Sequence, residues 1–431
     1  MCRSKVGRNF VKKIALSLLL FALVSGFAAC SRDTSGETQA RAGQPVSGES
    51  QTAGEKESVL FSENHEGEKE TDHSENGIKQ TAQSSEDGEE TGTGSESAAE
   101  AEAAPETEEP EPETDWQWQH DLPENHGLDT GALESLHRTL DTTDVFAMVI
   151  VRDDRIVDEY YKEGYDETSL FELHSCSKSI TSALMGIAID KEYVAGVDVP
   201  IVEYFPQIAD SEDAALKQIN LWHLLTHTTG FAANDTNNWE AWRGSENWVD
   251  FVLNLPVVSA PGTNFDYFTG NTHLLAAIIQ EATGKTLYDF GQEYLFSPLG
   301  MDSVQCGTDA QGISDGGNGF VMNVYDMAKL GRLFLHGGVW EGKQIISEEW
   351  VRESTGLQFK RSTGSADYGY QWWVRTFGAE NYDAFFAQGH FGQYIFCVPE
   401  LDLIVVFTSH HTGSSGMYWD FMESIVAACE P

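Results

Sequence analysis

Apolar residues recur at helical spacing in four stretches and at strand spacing in five, and the order of these stretches is uneven. Leu133, Leu136 and Leu140 mark one face of an opening helix. Residues 146–151 and 156–161 read as two strands across the turn Arg152-Asp153-Asp154. The run Ile180-Thr181-Ser182-Ala183-Leu184-Met185-Gly186-Ile187 reads as a buried helix, and residues 274–282 as another that Gly284 can terminate. Strand patterns return at 370–375, 394–398 and 403–409, the last two joined by Pro399-Glu400-Leu401-Asp402, and a final helix is expected over 417–428. Strands at both ends with helices between them predict one sheet completed by distant segments, carrying a helical insertion. That is an α+β domain.

The first 115 residues break this pattern. Residues 1–29 carry Arg3, Lys5, Arg8, Lys12 and Lys13, then an apolar run over 14–24, then small residues before Cys30. A basic start, a short apolar core and a small-residue junction describe a secretory signal. The run falls short of the roughly 20 residues that span a bilayer. Residues 31–115 hold 24 acidic against 5 basic side chains and almost no aromatics. Such a stretch cannot bury enough apolar surface to offset its chain entropy and is expected to be a disordered tether. The expected organisation is a signal over 1–29, a tether over 30–115 and one folded domain over 116–431.

Charge narrows the partners. The formal net charge is −43; +5 on residues 1–30 and −19 on 31–115 leave −29 on 116–431. No basic stripe is available for nucleic acid, so none is expected as a partner.

The candidate chemistry begins at Ser175-Cys176-Ser177-Lys178, at the head of the 180–187 helix. A serine and a lysine three residues apart there lie one above the other, so the amine can reach the hydroxyl. Free N–H groups and the positive end of the helix favour an oxyanion beside Ser175 and, with partial burial, disfavour the ammonium of Lys178. Tyr267, in the turn-rich stretch before the 274–282 helix, offers a phenol that could relay a proton between Ser175 and a leaving group. Gln388-Gly389-His390-Phe391-Gly392-Gln393 opens the strand at 394, where glycines permit close approach to a ligand, and the Gln393 N–H is the expected second oxyanion donor beside that of Ser175.

Taken together, these segments resemble the serine β-lactamase and penicillin-binding-protein-like hydrolases, closest to the branch of class C β-lactamases, esterases and 6-aminohexanoate-dimer hydrolases. Ser175 to Lys178 fits Ser-x-x-Lys, Tyr267-Phe268-Thr269 lies where that branch has Tyr-x-Asn or a relative, and His390-Phe391-Gly392 lies where Lys-Thr-Gly or His-x-Gly is expected. Leu221 to Gly230, Tyr325 to Leu333 and Tyr368 to Trp373 also look like this family, so the likeness covers roughly residues 130–428. It implies an antiparallel sheet flanked by terminal helices, with the active site where sheet and helical region meet. It also implies an acyl-enzyme mechanism in which Ser175, Lys178 and Tyr267 are catalytic and Thr269, His390 and Gly392 bind substrate. No cofactor or metal is implied, and the substrate would be a small ester or amide or a cell-wall peptide. Cys30 resembles a lipobox cysteine, which implies a lipid-anchored, extracytoplasmic protein.

Two departures limit that likeness. Thr269 stands in place of the usual Asn, and His390 in place of the Lys that binds a substrate carboxylate, so ester or amide hydrolysis is expected ahead of β-lactam hydrolysis. A weakly basic histidine is a poorer anchor for an anion at neutral pH. The alternative is a non-catalytic envelope protein that senses penicillin or peptidoglycan.

Other chemistry is weaker. His223 and His227 have helical metal spacing but lack the catalytic Glu of zinc proteases, and no Gly-x-Ser-x-Gly elbow is present. Ser314 to Gly319 is glycine-rich without a phosphate-loop lysine and is expected near the site entrance. Trp239, Trp242 and Trp248 are expected to pack a core. Cys176, Cys306, Cys397 and Cys429 are expected as free thiols, since a large core needs no bridges.

Overall fold

The computed structural model describes residues 116–429, with the expected signal, tether and Cys30 lying outside them. An eight-stranded sheet runs in the order β1-β3-β2-β8-β7-β6-β5-β4. Its strands are β1 (Gln119–His120), β2 (Val145–Arg152), β3 (Arg155–Tyr161), β4 (Asp367–Tyr368), β5 (Trp373–Phe377), β6 (Tyr382–Gly389), β7 (Gln393–Val398) and β8 (Leu403–Ser409). Every neighbouring pair is antiparallel except β1 with β3 at one edge, which is parallel. The register Leu403↔Arg152 to Ser409↔Val145 zips the last strand onto the first long one. Distant segments therefore complete one sheet.

Period-two alternation feeds two cores. Ala147, Val149, Ile395, Cys397, Ile404 and Val406 point into the larger one, towards the helical region. Met148, Ile150, Phe396, Val405 and Phe407 point into the other. That second core is closed by α1 (Thr130–Leu140) through Leu133, Leu136 and Leu140, and by the C-terminal helix through Phe421, Met422, Ile425 and Val426. Strands buried on both faces read as near-continuous apolar runs, which is why 394–398 and 403–409 were legible. The expected strand at 370–375 instead begins at Trp373, because Gln371 takes φ +62° and breaks the ladder.

The larger core holds α2 (Ser177–Asp190), α3 (Asp235–Arg243), α4 (Thr269–Thr283) and α5 (Val324–Leu335), with α6 (Gly416–Cys429) on the far side of the sheet. Residues Ser177 to Ala188 of α2 are buried all round. Three of its polar side chains find partners outside the helix: Ser179 Oγ donates to Gln371 O (2.8 Å), Thr181 Oγ1 to Gly316 O (2.7 Å), and Ser177 Oγ accepts from Phe320 N (3.1 Å). A buried helix start thus becomes the point where several loops are pinned. Among the described residues no helix is long and apolar enough to cross a membrane.

Candidate active site

Ser175 does not sit in the first turn of α2, as its sequence position suggested, but in a 3-10 turn, His174–Cys176, that leads into it. His174 is held at φ +48°, an uncommon conformation for a residue with a side chain, and so turns the chain sharply just before the serine. Cys176 is buried behind it, its Sγ donating to Gln393 O at 3.3 Å. This ties the serine turn to the mouth of the β6–β7 hairpin, where Gln393 is expected to supply an oxyanion donor.

Lys178 is 1% exposed, and its Nζ is enclosed by three oxygens: Ser175 Oγ at 2.9 Å, Thr269 Oγ1 at 2.8 Å and Gly317 O at 2.9 Å. Burial lowers its pKa to about 8, against the opposing pull of Asp235, Asp315 and Cys176. Desolvation is therefore the main cause, ahead of any helix-dipole effect.

The hydrogen-bond directions decide what the amine can do. Asp235, at the start of α3, accepts from both Thr269 N (2.7 Å) and Thr269 Oγ1 (2.6 Å). The Thr269 hydroxyl proton is thereby committed, leaving its oxygen to accept from Lys178. Gly317 O can only accept. A neutral amine places its two hydrogens on those oxygens, and its lone pair is left for the Ser175 hydroxyl. Asp235 thus sets the polarity of the whole chain, although sequence reasoning missed it; Asn234-Asp235 reads as an ordinary helix start, and Asn234 is indeed the cap.

Tyr267 lies two residues before α4, its carbonyl accepting from Asp235 N at 3.0 Å. Its ring centroid is 4.9 Å from Lys178 Nζ, and its phenol interacts with the Ser175 hydroxyl. Burial pushes the phenol far above its usual pKa, so it stays protonated and can donate. Its ring packs on His227 (4.6 Å), a buried imidazole whose pKa burial forces well down, and stacks on Trp373 (5.7 Å). Gln371 braces His227 from behind, its Nε2 reaching Leu225 O (2.9 Å) and His227 Nε2 (3.3 Å).

Three residues expected to bind substrate occupy different places. Thr269 is fully buried, with its hydroxyl held between Lys178 and Asp235, so it positions Lys178. Gly392, at φ +92°, is also buried; a side chain there would overlap the Tyr418 phenol and Ser409 Oγ, so helix α6 and not a ligand demands the glycine. His390 is exposed at the hairpin tip, with His174 at 6.0 Å and Phe391 at 3.9 Å. Burial, and then His410, keep its pKa below the ordinary value, so the ring carries no charge at neutral pH.

The glycine-rich stretch is part of the site floor and not an entrance loop: Gly317 O holds Lys178, and Asp315 beside it accepts from Arg243 Nη1 at 2.5 Å. Arg243 in turn lies over Trp248 (4.1 Å), while Trp242 is fully buried, so these tryptophans pack as expected and also support the floor. Among the described residues, no disulfide joins Cys176, Cys306, Cys397 or Cys429.

The beta-lactamase family profile matches residues 133–420, two thirds of the chain and all of the elements that build this site. The chain belongs to the beta-lactamase family. It is similar to 6-aminohexanoate-dimer hydrolase of Paenarthrobacter ureafaciens, 24% identical over 315 residues that span 68% of this chain and 79% of that protein. Among solved structures it resembles EstCE1, a hydrolase with promiscuous acyltransferase activity (TM-score 0.58, 15% identity, 70% of this chain and 98% of that one). It also resembles the octameric penicillin-binding protein homologue from Pyrococcus abyssi (TM-score 0.56, 19% identity, 70% and 77%). Family membership makes the chain a hydrolase-family protein with the beta-lactamase fold; the structural likenesses carry the fold alone.

Proposed function

We propose that this protein is a serine hydrolase that cleaves an ester or amide through an acyl-enzyme. The observation that carries this reading is the buried Lys178 amine 2.9 Å from Ser175 Oγ, with its other two contacts made to oxygens that can only accept. The Ser175 oxygen attacks the carbonyl carbon as its proton passes to neutral Lys178. The tetrahedral oxyanion sits between the N–H groups of Ser175 and Gln393. The Tyr267 phenol protonates the leaving group and recovers a proton from the Lys178 ammonium. Water then attacks the acyl carbon by the same route in reverse, and Ser175 is released.

Short-chain esters or amides come first as substrates, D-amino-acid or cell-wall peptides second and β-lactams third. A positioning Thr269 and an uncharged His390 leave no asparagine amide or lysine to hold a β-lactam. We further propose that the enzyme is a lipoprotein tethered outside the cytoplasm through Cys30.

The test is labelling of the full-length protein with a fluorophosphonate probe and turnover of a p-nitrophenyl ester, nitrocefin and a D-Ala-D-Ala peptide, beside Ser175→Ala. Loss of labelling and of turnover in the variant supports the nucleophile; equal labelling and turnover refutes it. Acylation that persists without turnover favours the envelope-sensor alternative.

A further inference from the structure

The cation that could anchor an anionic substrate is missing from the hairpin, where His390 is neutral, yet one stands on the aromatic cluster that includes Tyr267. Arg361 lies with its guanidinium carbon 4.8 Å from the Phe265 ring centroid and 5.0 Å from that of Trp373. Trp373 is stacked on Tyr267, whose ring faces Lys178. All three aromatic rings are half-buried, so they form one wall running from the reactive hydroxyl to the guanidinium.

The arginine is held in place. Its backbone N–H donates to Asp367 Oδ1 (2.8 Å) and its Nη1 to Ala366 O (3.2 Å). Gly364 folds over it so closely that a Cβ there would come within 2.7 Å of Nη1. Asp367 is the carboxylate that acts on its charge, with Oδ1 held by the Arg361 backbone N–H. Among the described residues no carboxylate lies within ion-pair distance of the guanidinium, in a domain that carries a large acidic excess. A guanidinium carries five N–H donors in a planar fork, and the Ala366 carbonyl takes one of them, so the remaining donors match a planar carboxylate.

We propose that Arg361 is a specificity-determining residue that binds a carboxylate on the leaving-group portion of the substrate. The proposal rests on the serine-hydrolase reading for its sidedness: Tyr267 protonates the leaving group, and Arg361 is linked to Tyr267 through Trp373. The favoured substrates are then esters or amides whose leaving group carries a carboxylate.

The experiment compares 4-acetoxybenzoate with its methyl ester, which differ only in that carboxylate, on the full-length protein and on Arg361→Gln and Arg361→Lys. The ratio of kcat/KM for the charged over the neutral ester is expected to fall about tenfold in Arg361→Gln, mostly through KM, and by less in Arg361→Lys, which keeps the charge but loses the fork. A second arm measures binding of 4-hydroxybenzoate and of methyl 4-hydroxybenzoate to Ser175→Ala protein by calorimetry, with and without Arg361→Gln. There the acid is expected to lose about tenfold in affinity relative to the ester. A ratio unchanged in both arms overturns the proposal and makes Arg361 a mere clamp on the aromatic wall. If fluorophosphonate labels Ser175→Ala as well as the parent, the hydrolase reading fails, and the binding arm alone decides Arg361. If Arg361→Gln melts early, the ratio in Arg361→Lys decides.

Discussion

Replacing Asp235 by Asn should move the alkaline activation of this enzyme to lower pH. In the proposed mechanism Lys178 must be neutral to act as a base, so kcat/KM should rise with pH through its pKa, about 8. Asp235 opposes that neutral form, because an anion beside an ammonium favours the charged state. The two legs through Thr269 Oγ1, 2.8 and 2.6 Å, put the charges roughly 5 Å apart. At an effective dielectric constant of about 20 that separation is worth about 3 kcal/mol, an upper figure that relaxation reduces to a shift of about one to two pH units. The sign is downward: the limb should fall from about 8 towards neutrality in Asp235→Asn. A second effect accompanies it. The new amide can donate to the Thr269 oxygen, turning the threonine hydroxyl proton towards Lys178, where it competes with Ser175; the plateau should drop roughly tenfold or more. The assay is the pH dependence of kcat/KM for a p-nitrophenyl ester, paired with the pH dependence of fluorophosphonate inactivation. A limb that stays at about 8, or climbs, refutes either the ionised state of Asp235 or the identity of Lys178 as the titrating base.

Two further outcomes are expected. Gly392→Ala should destabilise the domain by about 3 kcal/mol, because a Cβ there would overlap the Tyr418 phenol and the φ of +92° is strained for alanine; thermal unfolding should show a melting temperature lower by roughly 5–10 °C, and an unchanged melt would mean that α6 can move aside. Cys30→Ser should release the protein from the membrane fraction into the soluble one, checked by fractionation and immunoblotting of expressing cells; membrane retention in the variant would sink the lipid-anchor reading.

How much of the site could be read from residue order follows from the kind of interaction involved. Ser175 and Lys178 are three residues apart, so a single turn brings them to 2.9 Å whatever the rest of the fold does. Tyr267 announced itself only by lying in a turn before a helix, together with the family likeness. Asp235 and Gly317 gave no local sign, since one looks like a helix start and the other like a flexible loop. Their roles arise because α2, α3, α4 and the 314–319 loop are packed around one amine. Thr269 and Gly392 were assigned to substrate for the complementary reason: a motif position says which residue is present but not which way it faces. Strand β6 escaped notice because Asp383 and Gln388 interrupt its apolar run, although its centre is buried between β5 and β7.

By itself the sequence determined what depends on short range and on periodicity: four of the helices, the strands with near-continuous apolar runs, the Ser175 and Lys178 pair, and the excess of negative charge. Only the tertiary structure decided the acidity of Lys178, the direction of the hydrogen bonds that turn its lone pair to Ser175, and the placing of Arg361 on the aromatic wall. Those properties come from desolvation and from contacts between residues up to 139 positions apart along the chain, of which Lys178 with Gly317 is the longest at the amine. Neither burial nor long-range contact is a property of any local segment, and both exist only once the sheet has closed between β2 and β8.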